Sequence, residues 1–358
     1  MSTKGLLLGL AALVVLLSGC RSDQDESTLF VLLTDNRLLR VSGQGEVLSR
    51  TRLAPAADTF ASFGNLLDAG PDGGTVYALA RGARQRVVVI DADGIVVDRI
   101  ALPRQIVWRR LAVGPRTGRL YLAGDVEGSK KNELGAPELS VHLLVLSPSG
   151  ERLELTKLRD SGGRDWYVHR LTVASDESSV LVSYHGSDTT GTDVVTLAPV
   201  RPCADSSPVY AACLAHNHGY SQWVGDEILA ATGESRLALL DRSGKVVREL
   251  PTGLENIHLM AFAVAGRTAY AFGDCVKGNG ISRVSLDGDA PRVLRGGHAC
   301  GDTAVLMGES TLVLGRRWAR DPYGRGPDSS LVFVDLEQWQ VGRVLELPED
   351  PADVLAVG

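Results

Sequence analysis

The chain is predicted to be all-β, a closed ring of short antiparallel sheets, on three observations. A four-strand pattern seen clearly between Asn65 and Pro103 recurs along the chain. Its anchor residue returns at Phe30, Tyr77, Tyr121, Leu181, Leu229, Tyr270 and Val313, at intervals of 47, 44, 60, 48, 41 and 43 residues. Forty glycines, 44% hydrophobic but only 5% aromatic residues, and no sustained helical period after residue 20 suit many short strands joined by tight turns. A period in the forties with four strands per unit is the spacing of propeller blades, whose faces stay bare until neighbouring blades cover them. The expectation is a seven-bladed β-propeller of four-stranded antiparallel blades.

The unit reads strand by strand. Asn65 to Ala69 is an inner strand, and Gly70-Pro71-Asp72-Gly73-Gly74 turns it into Thr75 to Leu79. Val87 to Ile90 and Ile95 to Ile100 follow, joined by Asp91-Ala92-Asp93-Gly94. The same turn pattern stands at Ser147 to Gly150 and Asp241 to Gly244, with variants at Ser42 to Gly45 and Ser285 to Gly288. Asp or Ser caps the turn backbone and Gly takes the positive φ. Asp335-Leu336-Glu337-Gln338 lacks the glycine, and in the fourth unit Asp193 to Leu197 runs into Pro199, Pro202 and Pro208, which obscure an outer strand. The first unit begins at its second strand, near Thr28. Leu355-Ala356-Val357-Gly358 duplicates the inner strand Leu111-Ala112-Val113-Gly114, so the C-terminal strand is expected to pair with blade one and close the ring.

Ahead of the ring, Lys4 precedes an apolar run from Leu6 to Leu17, the length of a signal-peptide core and short for a bilayer span. It ends in Leu17-Ser18-Gly19-Cys20, which resembles a bacterial lipobox. The resemblance implies cleavage before Cys20 and acylation of that residue, with more than one acyl chain for stable attachment. The other reading is a plain secretory signal with an incidental cysteine. The expected organisation is a signal peptide over 1–19, a lipidated tether over 20–27 and the propeller over 28–358, with the protein extracytoplasmic and held to the bacterial membrane by lipid on Cys20. Val76-Tyr77, Val89-Ile90-Asp91, Val96-Val97 and Leu102-Pro103 give the unit a degenerate likeness to the YVTN-type repeats of bacterial surface and periplasmic propellers. Ala78-Leu79 stands where that repeat carries Thr-Asn, and the likeness implies architecture alone, since propellers host many functions.

The long connections, Val126 to Glu138, Asp160 to Tyr167, Ala198 to Asn217, Asp274 to Asn279 and Arg317 to Asp328, all map to one face of such a ring. His169, His185, His216, His218, His258 and His298 lie in or beside them, while His142 is mid-strand. Their spacing carries no zinc signature, so they stand either as loop histidines or as an acid–base or metal cluster; no metal and no cofactor are expected. Trp108, Trp166 and Trp318 serve there as stacking surfaces or loop anchors. Arg316, Arg317, Arg320 and Arg325, with Arg109 and Arg110, are candidates for an anionic ligand, although Asp321 and Asp328 interleave with them.

With Cys20 on lipid, the other four cysteines are even in number, and export permits disulfides. Proximity in the expected ring pairs Cys203 with Cys213 and Cys275 with Cys300. A net charge of −6 offers no general attraction for nucleic acid. No phosphate loop, nucleophile elbow or credible triad is present. The expected function is a non-catalytic binding or scaffold module whose loop-rich face takes an envelope protein, a polymer or a small ligand. The alternative is a propeller hydrolase or lyase using some of His169, His218, His258 and His298. A quinone-dependent dehydrogenase is disfavoured because its Trp-bearing repeat is missing.

Overall fold

In most units the second strand is largely apolar, which suits a strand covered on both faces, whereas the last strand mixes apolar and charged or polar residues. The computed structural model, which describes residues 27–55, 64–82, 84–131, 137–160, 167–185, 190–196, 221–231, 235–254, 259–273, 280–296, 299–316 and 329–358, follows this gradient. Sheet one holds β1 (Thr28–Leu33), β2 (Arg37–Ser42) and β3 (Val47–Arg52). Sheet two holds β4 (Leu67–Ala69), β5 (Thr75–Ala80), β6 (Arg86–Asp91) and β7 (Val96–Ala101). Sheet three holds β8 (Val107–Val113), β9 (Leu120–Lys131), β10 (Pro137–Leu146) and β11 (Arg152–Asp160). Sheet four has β12 (Tyr167–Val173), β13 (Ser179–His185) and β14 (Thr190–Thr196). Sheet five has β15 (Ser221–Val224), β16 (Glu227–Ala231), β17 (Arg236–Leu240) and β18 (Val246–Pro251). Sheet six has β19 (Leu259–Ala265), β20 (Thr268–Gly273), β21 (Ile281–Ser285) and β22 (Arg292–Leu294), and sheet seven β23 (Thr303–Met307), β24 (Thr311–Arg316), β25 (Ser330–Asp335) and β26 (Gln340–Glu346). The final strand, β27 (Pro351–Val357), returns to sheet one.

Every pairing within these sheets is antiparallel and runs outward from the inner strand. β27 lies inside β1 with Leu29 opposite Ala356, Phe30 opposite Leu355 and Val31 opposite Val354. The duplicated C-terminal segment therefore closes the ring as its sequence anticipates. In β5 and β24 five of six residues are buried, while β3, β7 and β18 are largely exposed, because an outermost strand has no neighbour beyond it.

The core is a circle of interfaces between adjacent sheets. Tyr121, Leu143 and Val180 join sheets three and four; Leu181, Ile228 and Leu240 join four and five; Leu239, Phe262 and Ala271 join five and six. Phe272, Leu314 and Val332 join six and seven, Val313, Phe333 and Leu29 join seven and one, and Phe30, Val76 and Leu111 carry the packing through one, two and three.

Two expectations are corrected. The described residues form six four-stranded blades, not seven: the fourth unit is a three-stranded sheet, β12 to β14. The residues that follow β14 in sequence, 197–220 with Pro199, Pro202 and Pro208, lie outside the described residues. Val126 to Glu138, expected as a loop, is mostly ladder, since β9 and β10 extend as a hairpin with Pro137 opposite Lys131. Backbone bonds carry such an extension past the core without an apolar pattern to announce it.

Candidate functional site

The inner strands β27, β4, β8, β12, β15, β19 and β23 surround a cavity of about 350 Å³, and each contributes to its wall. Two aspartates stitch the inner strands together at the ring closure. Asp353 Oδ2 accepts the N–H groups of Leu66 at 2.6 Å and Leu67 at 2.9 Å, and its Oδ1 accepts that of Val354 at 3.0 Å. Asp68 Oδ2 accepts from Val113 N–H at 2.7 Å and its Oδ1 from Ala69 N–H at 2.9 Å. Asn65, in the left-handed region with φ 51°, accepts Leu111 N–H on its carbonyl and Leu171 N–H on its side chain. Sheets one to four are thus linked by polar groups where no strand pairing runs between them.

Withdrawal from water raises the Asp68 carboxyl to about 6, against the N–H bonds of Val113 and Ala69 that favour its charge; the nearby charge of Asp353 pushes it further up. Burial likewise raises Asp353, opposed by its three N–H bonds and by the charge of Arg110. Beyond these, Arg170 donates through Nη2 to Gln222 Oε1 at 2.7 Å, with its guanidinium carbon 5.4 Å from the centre of the Phe262 ring.

Above the cavity, on the side of the long connections, polar side chains brace the inner rim. Asn36 donates to the carbonyls of Pro55 and Arg81 and accepts from Arg81 N–H. Gln85 exchanges two bonds with the Trp108 backbone, at 2.7 and 2.8 Å. Arg109 grips the buried Asp125 through two bonds of 2.8 and 3.0 Å, and the fully buried Arg110 donates to Arg109 O at 2.8 Å. Burial lowers Arg81 to about 10, helped by the charge of Arg109 and opposed by that of Asp353.

The residues singled out from sequence divide sharply. Trp108 is buried, its indole N–H on Pro103 O at 3.2 Å, so it is a loop anchor and offers no stacking surface. Arg109 and Arg110 are parts of the frame, and Arg316, at the end of β24, is also buried. Arg109 stays partly exposed but is paired with Asp125, whereas Arg110 and Arg316 are buried. His169 lies in β12, and His142 faces Ser140 Oγ at 3.0 Å in β10. Cys300 is buried and disulfide-bonded. Cys20, Cys203, Cys213, Cys275, His218, His258, His298, Arg317, Trp318, Arg320 and Arg325 lie outside the described residues. Among the described residues no group of three or more His, Cys, Asp or Glu is placed to hold a metal ion.

Sequence reading passed over Asp68, Asp353, Arg170 and Gln222. Their one signal is a polar residue within a short apolar inner strand, as in Leu67-Asp68-Ala69 and Ala352-Asp353-Val354.

No family model matches the chain, and no curated protein matches its sequence. Solved structures do. A functionally unknown protein from Desulfotomaculum acetoxidans is similar over 92% of this chain and 98% of its own, with 11% identity and a TM-score of 0.63. AztD from Citrobacter koseri, in its apo form, is similar over 93% and 98%, with 12% identity and a TM-score of 0.55. The dihydro-heme d1 dehydrogenase NirN is similar over 94% of this chain and 76% of its own, with 14% identity and a TM-score of 0.58. At these identities the likeness establishes the β-propeller fold alone.

Proposed function

We propose that the chain is a lipid-anchored extracytoplasmic binding protein that works without catalysis and meets an envelope protein, polymer or small ligand on its loop-rich face. The observation that carries this reading is the braced rim. Asn36, Arg81, Gln85, Trp108 and the Arg109–Asp125 pair hold the roots of several connections rigid, the arrangement by which a scaffold presents binding loops. Cys20 supplies the anchor in this reading. Thr28 lies opposite Ser42 and Val357, so the chain joins sheet one on the face of the short turns. The eight residues from Cys20 to Ser27 reach at most roughly 26–29 Å, which keeps that face toward the lipid and the loop-rich face away from it. The four expected disulfide cysteines belong to the same reading, with Cys275 the proposed partner of Cys300.

Single cysteines at Arg104, on the loop side, and Arg116, in a short turn, test the orientation when the protein is reconstituted in lipid vesicles. A bulky maleimide is expected to react at Arg104 as fast as in detergent and at Arg116 more slowly. The reverse order would remove the accessible face. Stoichiometric zinc, copper or iron in the purified protein would favour a metal-assisted enzyme instead.

A further inference from the structure

The charges that line the axial cavity are sorted across it. Asp353 of β27 and Asp68 of β4 belong to neighbouring sheets one and two, and Asp302, just before β23, lines the cavity from sheet seven, next to sheet one, so the acidic arc runs over sheets seven, one and two. Arg170 of β12 reaches Gln222 of β15 and lies over Phe262 of β19, which places the cation along sheets four, five and six. In a ring that closes in this order the two arcs face each other. The N–H bonds on each aspartate orient the carboxylate without cancelling its charge.

We propose that this cavity binds a small zwitterion, its ammonium group against the Asp68–Asp353 arc and its carboxylate against Arg170. A ligand with only one charge leaves the opposite arc unpaired and forgoes one charge-assisted contact, so the site discriminates by that lost contact. About 350 Å³ is at the small end of the roughly 300–1,000 Å³ typical of small-molecule pockets. The ring of Phe262 and the side chains of Val113 and Leu355 line the same space and suit a short apolar body between the charges. The proposal rests on reading the chain as a binding protein, but it concerns the axis and not the loop-rich surface.

Isothermal titration of the full chain in detergent at neutral pH, with alanine, alanyl-alanine and trialanine, tests it. The best of the three is then compared with its N-acetylated and C-amidated forms. The free zwitterion is expected to bind at least about tenfold more tightly than either blocked form, the effect of losing one charge-assisted contact. Arg170→Gln is expected to weaken the zwitterion about tenfold while leaving the amide unchanged. Asp68→Asn, which keeps an acceptor for Val113 N–H, is expected to weaken the zwitterion and leave the acetylated form unchanged. Absence of heat with all three probes, or equal affinities for free and blocked forms, overturns the proposal. The blocked probes leave the protein unaltered, so this comparison stands even where a variant fails to fold. Silent titrations would leave the labelling order of Arg104 and Arg116 untouched, and an inverted labelling order would not change these heats.

Discussion

Asp68 holds its proton more tightly in the folded chain, up to about 6, than in an unfolded chain where its carboxyl titrates near 3.8. Its contribution to stability is therefore fully present below about pH 4 and is lost as pH rises through about 6, roughly 3 kcal/mol in all. Asp353 acts in the same direction. Asp72 and Asp241 act in the opposite one. Bonds from the Thr75 hydroxyl and from the Ser243 hydroxyl, each joined by turn N–H groups, hold these two carboxyls below their ordinary range, so their contribution is present at neutral pH and lost on acidification. Urea unfolding between pH 4 and 6 is expected to show a falling stability that Asp68→Asn makes shallower, Asp353 carrying the rest, with the acid limb below pH 4 unchanged. An unaltered slope in the variant would mean that Asp68 titrates normally. The turn aspartates were legible in sequence because their partners lie two to four residues away. Asp68 was not, since its partner Val113 is 45 positions distant and belongs to another sheet.

Hairpin turns set the register of each sheet, and their glycines differ in why they are glycine. Gly94, Gly150 and Gly244 have φ of 83, 87 and 84°, and the residue opening each turn caps it: Asp91 and Asp241 accept backbone N–H groups on Oδ1, and Ser147 on its hydroxyl. Where the turn after β25 lacks glycine, Trp339 takes the positive φ, 54°. Three substitutions separate the causes. Gly74 has an ordinary φ with open space around an added Cβ, so Gly74→Ala is expected to change stability by less than about 1 kcal/mol. Gly225, at φ 60° with open space, loses only left-handed freedom, about 1–2 kcal/mol. At Gly150 an added Cβ lies 2.7 Å from Cγ2 of the buried Ile100 in the neighbouring sheet, so Gly150→Ala is expected to cost more than Gly225→Ala. Chemical denaturation that ranks Gly225→Ala as the more harmful would dismiss the contact with Ile100. The turn pattern showed where these glycines sit, but only packing distinguishes them, because Ile100 is 50 residues away.

Closure acts on the molecule as a whole. β27 pairs along β1, packs beside β23 and β4, and carries Asp353, whose carboxylate caps Leu66 and Leu67. Removing residues 351–358 strips the inner partner from Leu29 to Leu33 and leaves two N–H groups without their acceptor. The shortened chain is expected to lose its single cooperative unfolding transition and to form oligomers by size-exclusion chromatography, and a synthetic peptide of residues 351–358 is expected to restore both properties. A monomeric shortened chain with an unchanged midpoint would show that closure is dispensable. The sequence by itself determined the β class, the repeat and the capped turns, because these depend on hydrogen bonds between near neighbours and on apolar runs that recur with a fixed period; the distant pairing of the C-terminal strand was legible because Leu355-Ala356-Val357-Gly358 duplicates the inner strand Leu111-Ala112-Val113-Gly114. Tertiary structure alone decided that the fourth unit closes with three strands among the described residues, that Trp108 and Arg110 are buried frame, and that Asp68, Asp353 and Arg170 share one cavity. The physical reason is distance along the chain: a side chain's burial and electrostatic partners are set by which sheets meet at the axis, and residues 68, 170 and 353 meet only there.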